Sequence, residues 1–262
     1  MVDFQYKDSY GVKDLEEIVR LLRAPGGCPW DAEQTHQSIR RNFLEEAYEA
    51  VEAIDEGSPE HLKEELGDVL LQVALHTRME EEQGAFTFGD VCTCICKKLI
   101  FRHPHVFGEV SVSGTGEVLS NWEELKRKEK GQATNTDALE AVARSLPALW
   151  RAEKVQKKAK KAGFDWPDVS GALDKLSEEL EELKTAVAEG TNVEEELGDL
   201  LFSAVNVSRF VKVDTEEALN RATDKFIGRF RKVEEEAARQ GRALEGMSLA
   251  ELDKLWEHAK ET

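Results

Sequence analysis

Two stretches of this chain are apolar nearly all the way round a helix. After Asp68 the residues run Val69-Leu70-Leu71-Gln72-Val73-Ala74-Leu75, and after Asp199 they run Leu200-Leu201-Phe202-Ser203-Ala204-Val205. A helix with so little polar face is expected to be buried. Ahead of each stretch lies a Glu-rich amphipathic segment, and between the two stands a break made of turn residues. The break is Gly57-Ser58-Pro59-Glu60 in one place and Gly190-Thr191-Asn192 in the other. Gly suits the residue just past a helix, Ser caps the next one, and Pro fits its first turn. Each break therefore predicts a pair of antiparallel helices.

The pattern is a repeat. Glu64 to Leu70 reads EELGDVL and Glu195 to Leu201 reads EELGDLL, each preceded by Glu-Glu-x-x-Glu: Glu45, Glu46 and Glu49, then Glu178, Glu179 and Glu182. Trp30 next to Asp31 answers to Trp166 next to Asp165. Lys98 and Arg102 answer to Lys225 and Arg229, and Trp122 and Lys126 to Trp256 and Lys260. Landmarks recurring in one order at similar intervals predict two homologous halves. The polar stretch from Lys126 to Asp137, KRKEKGQATNTD, reads as the join. The expected division is a first half over 1–126, a linker over 127–143 and a second half over 144–262. A second irregular stretch, His103 to Gly116, interrupts the first half.

With 40% hydrophobic and 34% charged residues, and long runs of Ala, Leu, Glu and Lys, the chain reads as all-α: two tandem helix-bundle halves. A net charge of −18 repels nucleic acid and anionic membrane surfaces, so neither is an expected partner. The opening residues, Met1 to Glu17, lack a signal-peptide core and no run is long enough to span a membrane, so the protein is expected in the cytoplasm. Cys92, Cys94 and Cys96 form C-x-C-x-C, which is not a zinc spacing; buried, reduced thiols are expected.

The acids carry the chemistry. Residues three or four apart on a helix share a face, which sets Glu46 beside Glu49, with Glu45 one position round, and Glu65 beside Asp68. If the paired helices pack, four or five carboxylates converge in each half. Like charges so close repel unless a cation or protons neutralise them. A solvated acidic face is the plainer account of any single Glu. The apolar stretches beside both motifs argue instead for acids at the lip of a packed interior, where an ion compensates them. An all-oxygen set selects a hard cation, Mg²⁺ or in its place Mn²⁺. Di-iron bundles also use inward-facing Glu, but with Glu-x-x-His; here the fourth position is Glu or Asp.

These acids, Glu45, Glu46, Glu49, Glu65 and Asp68, then Glu178, Glu179, Glu182, Glu196 and Asp199, resemble the motif of the MazG nucleoside triphosphate pyrophosphohydrolases. The resemblance extends to Gly27-Cys28-Pro29-Trp30-Asp31, Arg102-His103-Pro104-His105-Val106-Phe107, Arg144-Ser145-Leu146-Pro147-Ala148-Leu149 and Gly163-Phe164-Asp165-Trp166. Tandem halves and this length match the full-length bacterial form of that family. The resemblance implies an all-α pyrophosphatase fold, a homodimer, and cleavage of the α–β phosphoanhydride of several NTPs and dNTPs, as in nucleotide-pool house-cleaning. It implies that Glu179, Glu182, Glu196 and Asp199 hold Mg²⁺. Lys175, Lys225, Arg229 and Trp256 are then expected to contact the nucleotide, with Glu195 near it. The first half matches at Glu46, Glu49, Glu65 and Asp68 but has Asn42 where the second has Lys175, so the second half is the expected catalytic unit.

Glu178, next to the ligand pair but off it, is the candidate for orienting or deprotonating the attacking water, with Glu45 as its counterpart. Lys225 and Arg229, one turn apart, suit phosphate oxygens, or else form an ordinary basic face. Trp256 suits a base stack or core packing, and Trp30 and Trp166 suit turn packing. Two rival readings stay open: a pyrophosphohydrolase dedicated to dUTP, dCTP or phosphoribosyl-ATP, and a non-catalytic helical module that binds a metal or a basic partner.

Overall fold

The structure, a computed structural model, describes residues 4–129, 131 and 133–261. Parts of the opening stretch (1–3) and of the expected linker (130 and 132) thus lie outside the described residues. Among these residues the chain is all-α. Its helices are α1 (Val12–Arg23), α2 (Pro29–Glu33), α3 (Arg40–Glu56), α4 (Pro59–Glu82), α5 (Phe88–Arg102), α6 (Pro104–Phe107) and α7 (Thr115–Glu129). They continue with α8 (Asn135–Glu140), α9 (Ala148–Lys161), α10 (Val169–Glu189), α11 (Val193–Val211), α12 (Thr215–Arg239) and α13 (Leu249–Glu261). The chain folds as two compact units, Met1–Lys126 and Arg127–Thr262.

In the first unit α3 and α4 form the expected hairpin. Gly57 takes a left-handed φ of 65°, Ser58 Oγ accepts from the His61 amide at 3.3 Å, and Pro59 opens α4. α1 packs on α4 around Val19, Ile39, Ala74, Leu75 and Met79. Polar pins hold the α1–α3 connection to this core. Arg23 donates to both oxygens of Glu82 and to the carbonyls of Asp31 and Gln34. His36 meets His76, Nδ1 to Nδ1, at 2.7 Å and Glu80 at 2.8 Å.

α5 corrects the cysteine expectation. Among the described residues its principal contacts are with α4 and α6, none of its residues is buried, and Cys92, Cys94 and Cys96 are free thiols exposed on the single chain. The alternation that read as a buried face lies on a helix that the described residues of α4 and α6 leave open there.

In the second unit α10 and α11 form the matching hairpin, turned through Gly190 (φ 71°) and Asn192 (φ 52°). Asn192 supplies a left-handed backbone here; its side chain makes no cap hydrogen bond. α11 also packs on α9, which carries α8 and α12, and α12 packs on α13. The buried apolar residues of this unit are small, chiefly Ala and Val. The α11 stretch after Asp199, expected to be buried, is only partly so: Ser203 and Val205 are buried while Leu201 and Phe202 stay exposed. α8 lies inside the stretch read as a linker, because Thr134 and Asp137 form a capping box that starts a short helix against α9.

Candidate active site

The second-half acids meet where α10 lies along α11. Glu179, Glu196 and Asp199 each bring one carboxylate oxygen within 4.8 Å of the others. Glu196 stands in the first turn of α11 with Glu194 and Glu195, where the helix dipole favours negative charge. Glu179 is the buried member at 5% exposure. Lys175 Nζ lies 2.7 Å from Glu179 Oε1 and 2.9 Å from Glu178 Oε1, and these two contacts hold its ammonium in the charged form. Glu179 Oε2 is buried with no hydrogen-bond partner. Glu182 is exposed and outside the tight trio, yet near enough that desolvation and then the charge of Glu179 push its carboxyl above the ordinary range.

The first half builds the trio differently. Glu46, Glu49 and Glu65 converge within 4.8 Å, and the buried member is Glu65, at 8% exposure, on the second helix of the hairpin rather than the first. Its Oε2 is likewise buried without a partner. The nearby basic group is His61, 3.3 Å from Glu65 and 2.8 Å from Glu56; the Glu56 contact raises the imidazole above its ordinary pKa. Asp68 stands outside the tight trio. Burial, then the charges of Asp68, Glu49 and Glu65, raises the Glu46 carboxyl.

Both trios fit a hard divalent cation. Their donors are carboxylate oxygens alone, drawn from two helices, and each contains a buried oxygen that no protein donor satisfies. Such an orphaned buried acceptor is costly, and an ion between the carboxylates removes that cost together with their repulsion.

The basic and aromatic candidates lie on other helices. Lys225 and Arg229 are on α12 and Trp256 on α13. Among the described residues no ion pair joins Lys225 or Arg229 to the acid trio. Lys225 lines a hollow with Asp214 and Arg221, and Trp256 is half-buried with its ring 5.0 Å from Phe226. In the first half Arg102 and Lys126 lie over the ring of Trp122, at 5.8 and 5.0 Å. Glu178 and Glu195 are exposed, as is Glu45.

The sequence reading missed a pocket of about 430 Å³ between α9, α11 and the turn after α9. Gly163 (φ 87°) ends α9 and sends Phe164, Asp165 and Trp166 over its mouth. Arg209, whose side chain is buried, donates to both oxygens of Asp165 and to Asn206, and holds the Asp165 carboxyl below its usual range. Trp166 lies across Gly171 on α10, where a Cβ would come within 2.8 Å of the ring. Gln156, at 6% exposure, reaches in from α9. The signal was present in Gly163-Phe164-Asp165-Trp166, but the partner Arg209 lies 44 residues on.

Comparison with known proteins decides the family. The model of the MazG nucleotide pyrophosphohydrolase domain matches twice, over residues 34–107 and 169–234, and both matches hold an acid trio. The chain belongs to the MazG family. It is a hydrolase of that family with the MazG domain in tandem. It is 47% identical over 248 residues to the nucleoside triphosphate pyrophosphohydrolase/pyrophosphatase MazG of Thermotoga maritima, covering 95% of each chain. It is 42% identical over 251 residues to a nucleoside triphosphate pyrophosphohydrolase of Escherichia coli K12, covering 94% of this chain and 95% of that one. It is also 50% identical over 251 residues to YabN of Bacillus subtilis, of which it spans 51%.

Proposed function

We propose that this chain hydrolyses nucleoside triphosphates, both NTPs and dNTPs, to the monophosphate and pyrophosphate, with Mg²⁺ (or Mn²⁺) held by the acid trios. The second half, over 144–262, does the chemistry; 1–126 is the companion half and 127–143 joins them. One observation carries this reading: Glu179, Glu196 and Asp199 converge, and Glu179, one oxygen of which Lys175 holds, has its other carboxylate oxygen buried and unpartnered. The names of the Thermotoga and Escherichia relatives support the reaction class.

Glu179, Glu196 and Asp199 hold the cation from the two sides of the hairpin, and Glu182, one turn along from Glu179, joins as substrate arrives. The first half offers Glu46, Glu49, Glu65 and Asp68 likewise. Mg²⁺ held by the second-half acids would supply Lewis acidity to phosphate oxygens and offset the charge that grows on departing pyrophosphate. Lys175, Lys225 and Arg229 neutralise phosphate oxygens that an acidic protein otherwise repels. Glu195 and Trp256 border the nucleotide. Glu178 orients the attacking water and takes its proton, a role Lys175 assists by fixing the carboxylate; Glu45 is its first-half counterpart.

The working form is a homodimer in the cytoplasm, consistent with a role in clearing nucleotide pools. Its support is an apolar stripe left open on the single chain: Leu173, Leu180 and Val187 at seven-residue spacing along α10, with Leu197 and Leu201 beside them on α11. No helix among the described residues is long and apolar enough to cross a membrane.

The test is product analysis across all NTPs and dNTPs, with and without Mg²⁺. Monophosphate and pyrophosphate formed only with the metal are expected. Orthophosphate as the product, or metal-independent release, overturns the proposal.

A further inference from the structure

α3 begins without local support. Its N-cap residue Ile39 makes no side-chain cap hydrogen bond, and its first turn holds no acid but does hold Arg40 and Arg41, which the helix dipole disfavours there. The start of the helix is therefore set by what the residues around it touch. Ile39 sits in the core with Val19 and Leu75, and His36 reaches across to α4. We infer that His36 and His76 form an acid-released latch: one shared proton holds the approach to α3 against α4, and a second proton on the pair releases it.

Hydrogen accounting carries the inference. Glu80 Oε1 lies 2.8 Å from His36 Nε2, and an ionised carboxylate only accepts, so Nε2 carries a hydrogen. The Nδ1 atoms of His36 and His76 lie 2.7 Å apart, with the two rings 4° from parallel. A hydrogen bond of that length needs one donor and one acceptor. His76 Nδ1 donates when His36 is neutral, and His36 Nδ1 donates when His36 is charged; either way a single hydrogen lies between the rings. When both rings are imidazolium each Nδ1 carries a hydrogen, the acceptor is gone, and two like charges stand in contact.

The surroundings offset only the first of those charges. Glu80 holds the far nitrogen of His36, and among the described residues no acid forms an ion pair with His76. The hollow of about 430 Å³ beside the pair takes Phe43 from α3, Val91 from α5 and Phe86 from the turn between α4 and α5, and its titratable lining groups are His36, His76 and Glu80. Charges on the neighbouring helices are already matched: Arg23 by Glu82 and Arg20 by Glu17 from α1, Arg78 by Glu81 and Glu82 on α4, and Asp90 by the Thr87 cap of α5. Arg40 and Arg41 of α3 are exposed and outside the lining. Burial and then the charge of His36 lower the His76 imidazole below its ordinary value of 6.5. The stability that the neutral ring contributes is thus present above 6.5 and is lost as pH falls through the lowered value.

The release is local. Arg23 still donates to the carbonyls of Asp31 and Gln34, and Ile39 stays in the core, so the loosened stretch is the few residues about His36 and the uncapped first turn of α3.

The test is amide hydrogen exchange of the full chain, without nucleotide or added Mg²⁺, from about pH 8 to about pH 5, read as protection factors so that the intrinsic pH dependence of exchange drops out. Wild-type protection over residues 35–43 is expected to fall about tenfold or more with acid while α1, on the same core, changes less. In His76→Gln, which keeps a hydrogen-bonding group that does not titrate, protection stays level over the range. Should that variant not fold, nitrogen-15 spectra of the wild-type imidazoles decide: His76 keeps the pattern of a neutral ring until protection falls and becomes imidazolium in the same step. Wild-type protection that is independent of pH, an equal fall in α1 or in His76→Gln, or a His76 that changes charge apart from the loss of protection overturns the inference.

Discussion

Lys175 holds one oxygen of Glu179 at 2.7 Å from one turn back on α10, while the other oxygen of that carboxylate is buried without a partner. The carboxylate is thus held by a cation on one side and open to a second on the other. The first half has Asn42 in place of Lys175, and the basic group beside its buried acid Glu65 is His61, four residues earlier on α4 itself. Copying the first half with Lys175→Asn is expected to reduce kcat/KM for NTPs by about tenfold or more, since a phosphate partner and the restraint on Glu178 both go. Steady-state kinetics, with circular dichroism to confirm the fold, checks this.

Metal and pH are coupled through Glu46. Burial and the charges around it raise its carboxyl above the ordinary value of 4.5. The folded state therefore binds more protons than the unfolded chain between 4.5 and the raised value, and stability falls as pH rises through that window. A bound cation reverses this. The Mg²⁺-induced rise in Tm is expected to be larger at about pH 8 than at about pH 5, with proton release on binding at the lower pH. Thermal melts with and without EDTA, and calorimetry in two buffers, measure both.

Asp165 and Arg209 anchor the turn after α9. Arg209 lowers the Asp165 carboxyl, so the pair contributes stability above the ordinary Asp range and loses it as pH falls through the lowered value. Asp165→Ala leaves a buried guanidinium with Asn206 and the Phe210 ring but no carboxylate, and is expected to cost about 3 kcal/mol in urea unfolding. The double variant Asp165→Ala, Arg209→Met is expected to regain part of that.

Gly171→Ala forces Trp166 off α10, since the added methyl meets the ring at 2.8 Å. A loss of about 1–3 kcal/mol is expected, with a red-shifted tryptophan emission as the ring moves into water.

Local chemistry made much of this legible. The hairpins follow from Gly57, Ser58, Pro59 and Gly190, whose backbone needs are local, and the acid trios follow from spacing on two paired helices. Lys175 reached Glu179 for the same reason, four residues on one helix. Properties that depend on distant packing were not legible. The exposure of Cys92, Cys94 and Cys96 depends on which described helices, α4 and α6, pack against α5. The switch of the buried acid from Glu179 to Glu65 depends on how each hairpin sits on its neighbours. Asp165 finds Arg209, and Gln156 finds the Phe202 carbonyl, only once α9 lies along α11. The helix at Asn135–Glu140 was missed although its capping box is local, because its six residues are too few to show a period.

Pyrophosphate release by two matched double variants tests the placement of the chemistry most directly: Glu179→Gln with Asp199→Asn, and Glu46→Gln with Asp68→Asn. The second-half pair is expected to lower kcat about a thousandfold or more in saturating Mg²⁺, while the first-half pair still turns over. Wild-type turnover by the second-half pair, or complete loss confined to the first-half pair, would contradict the account.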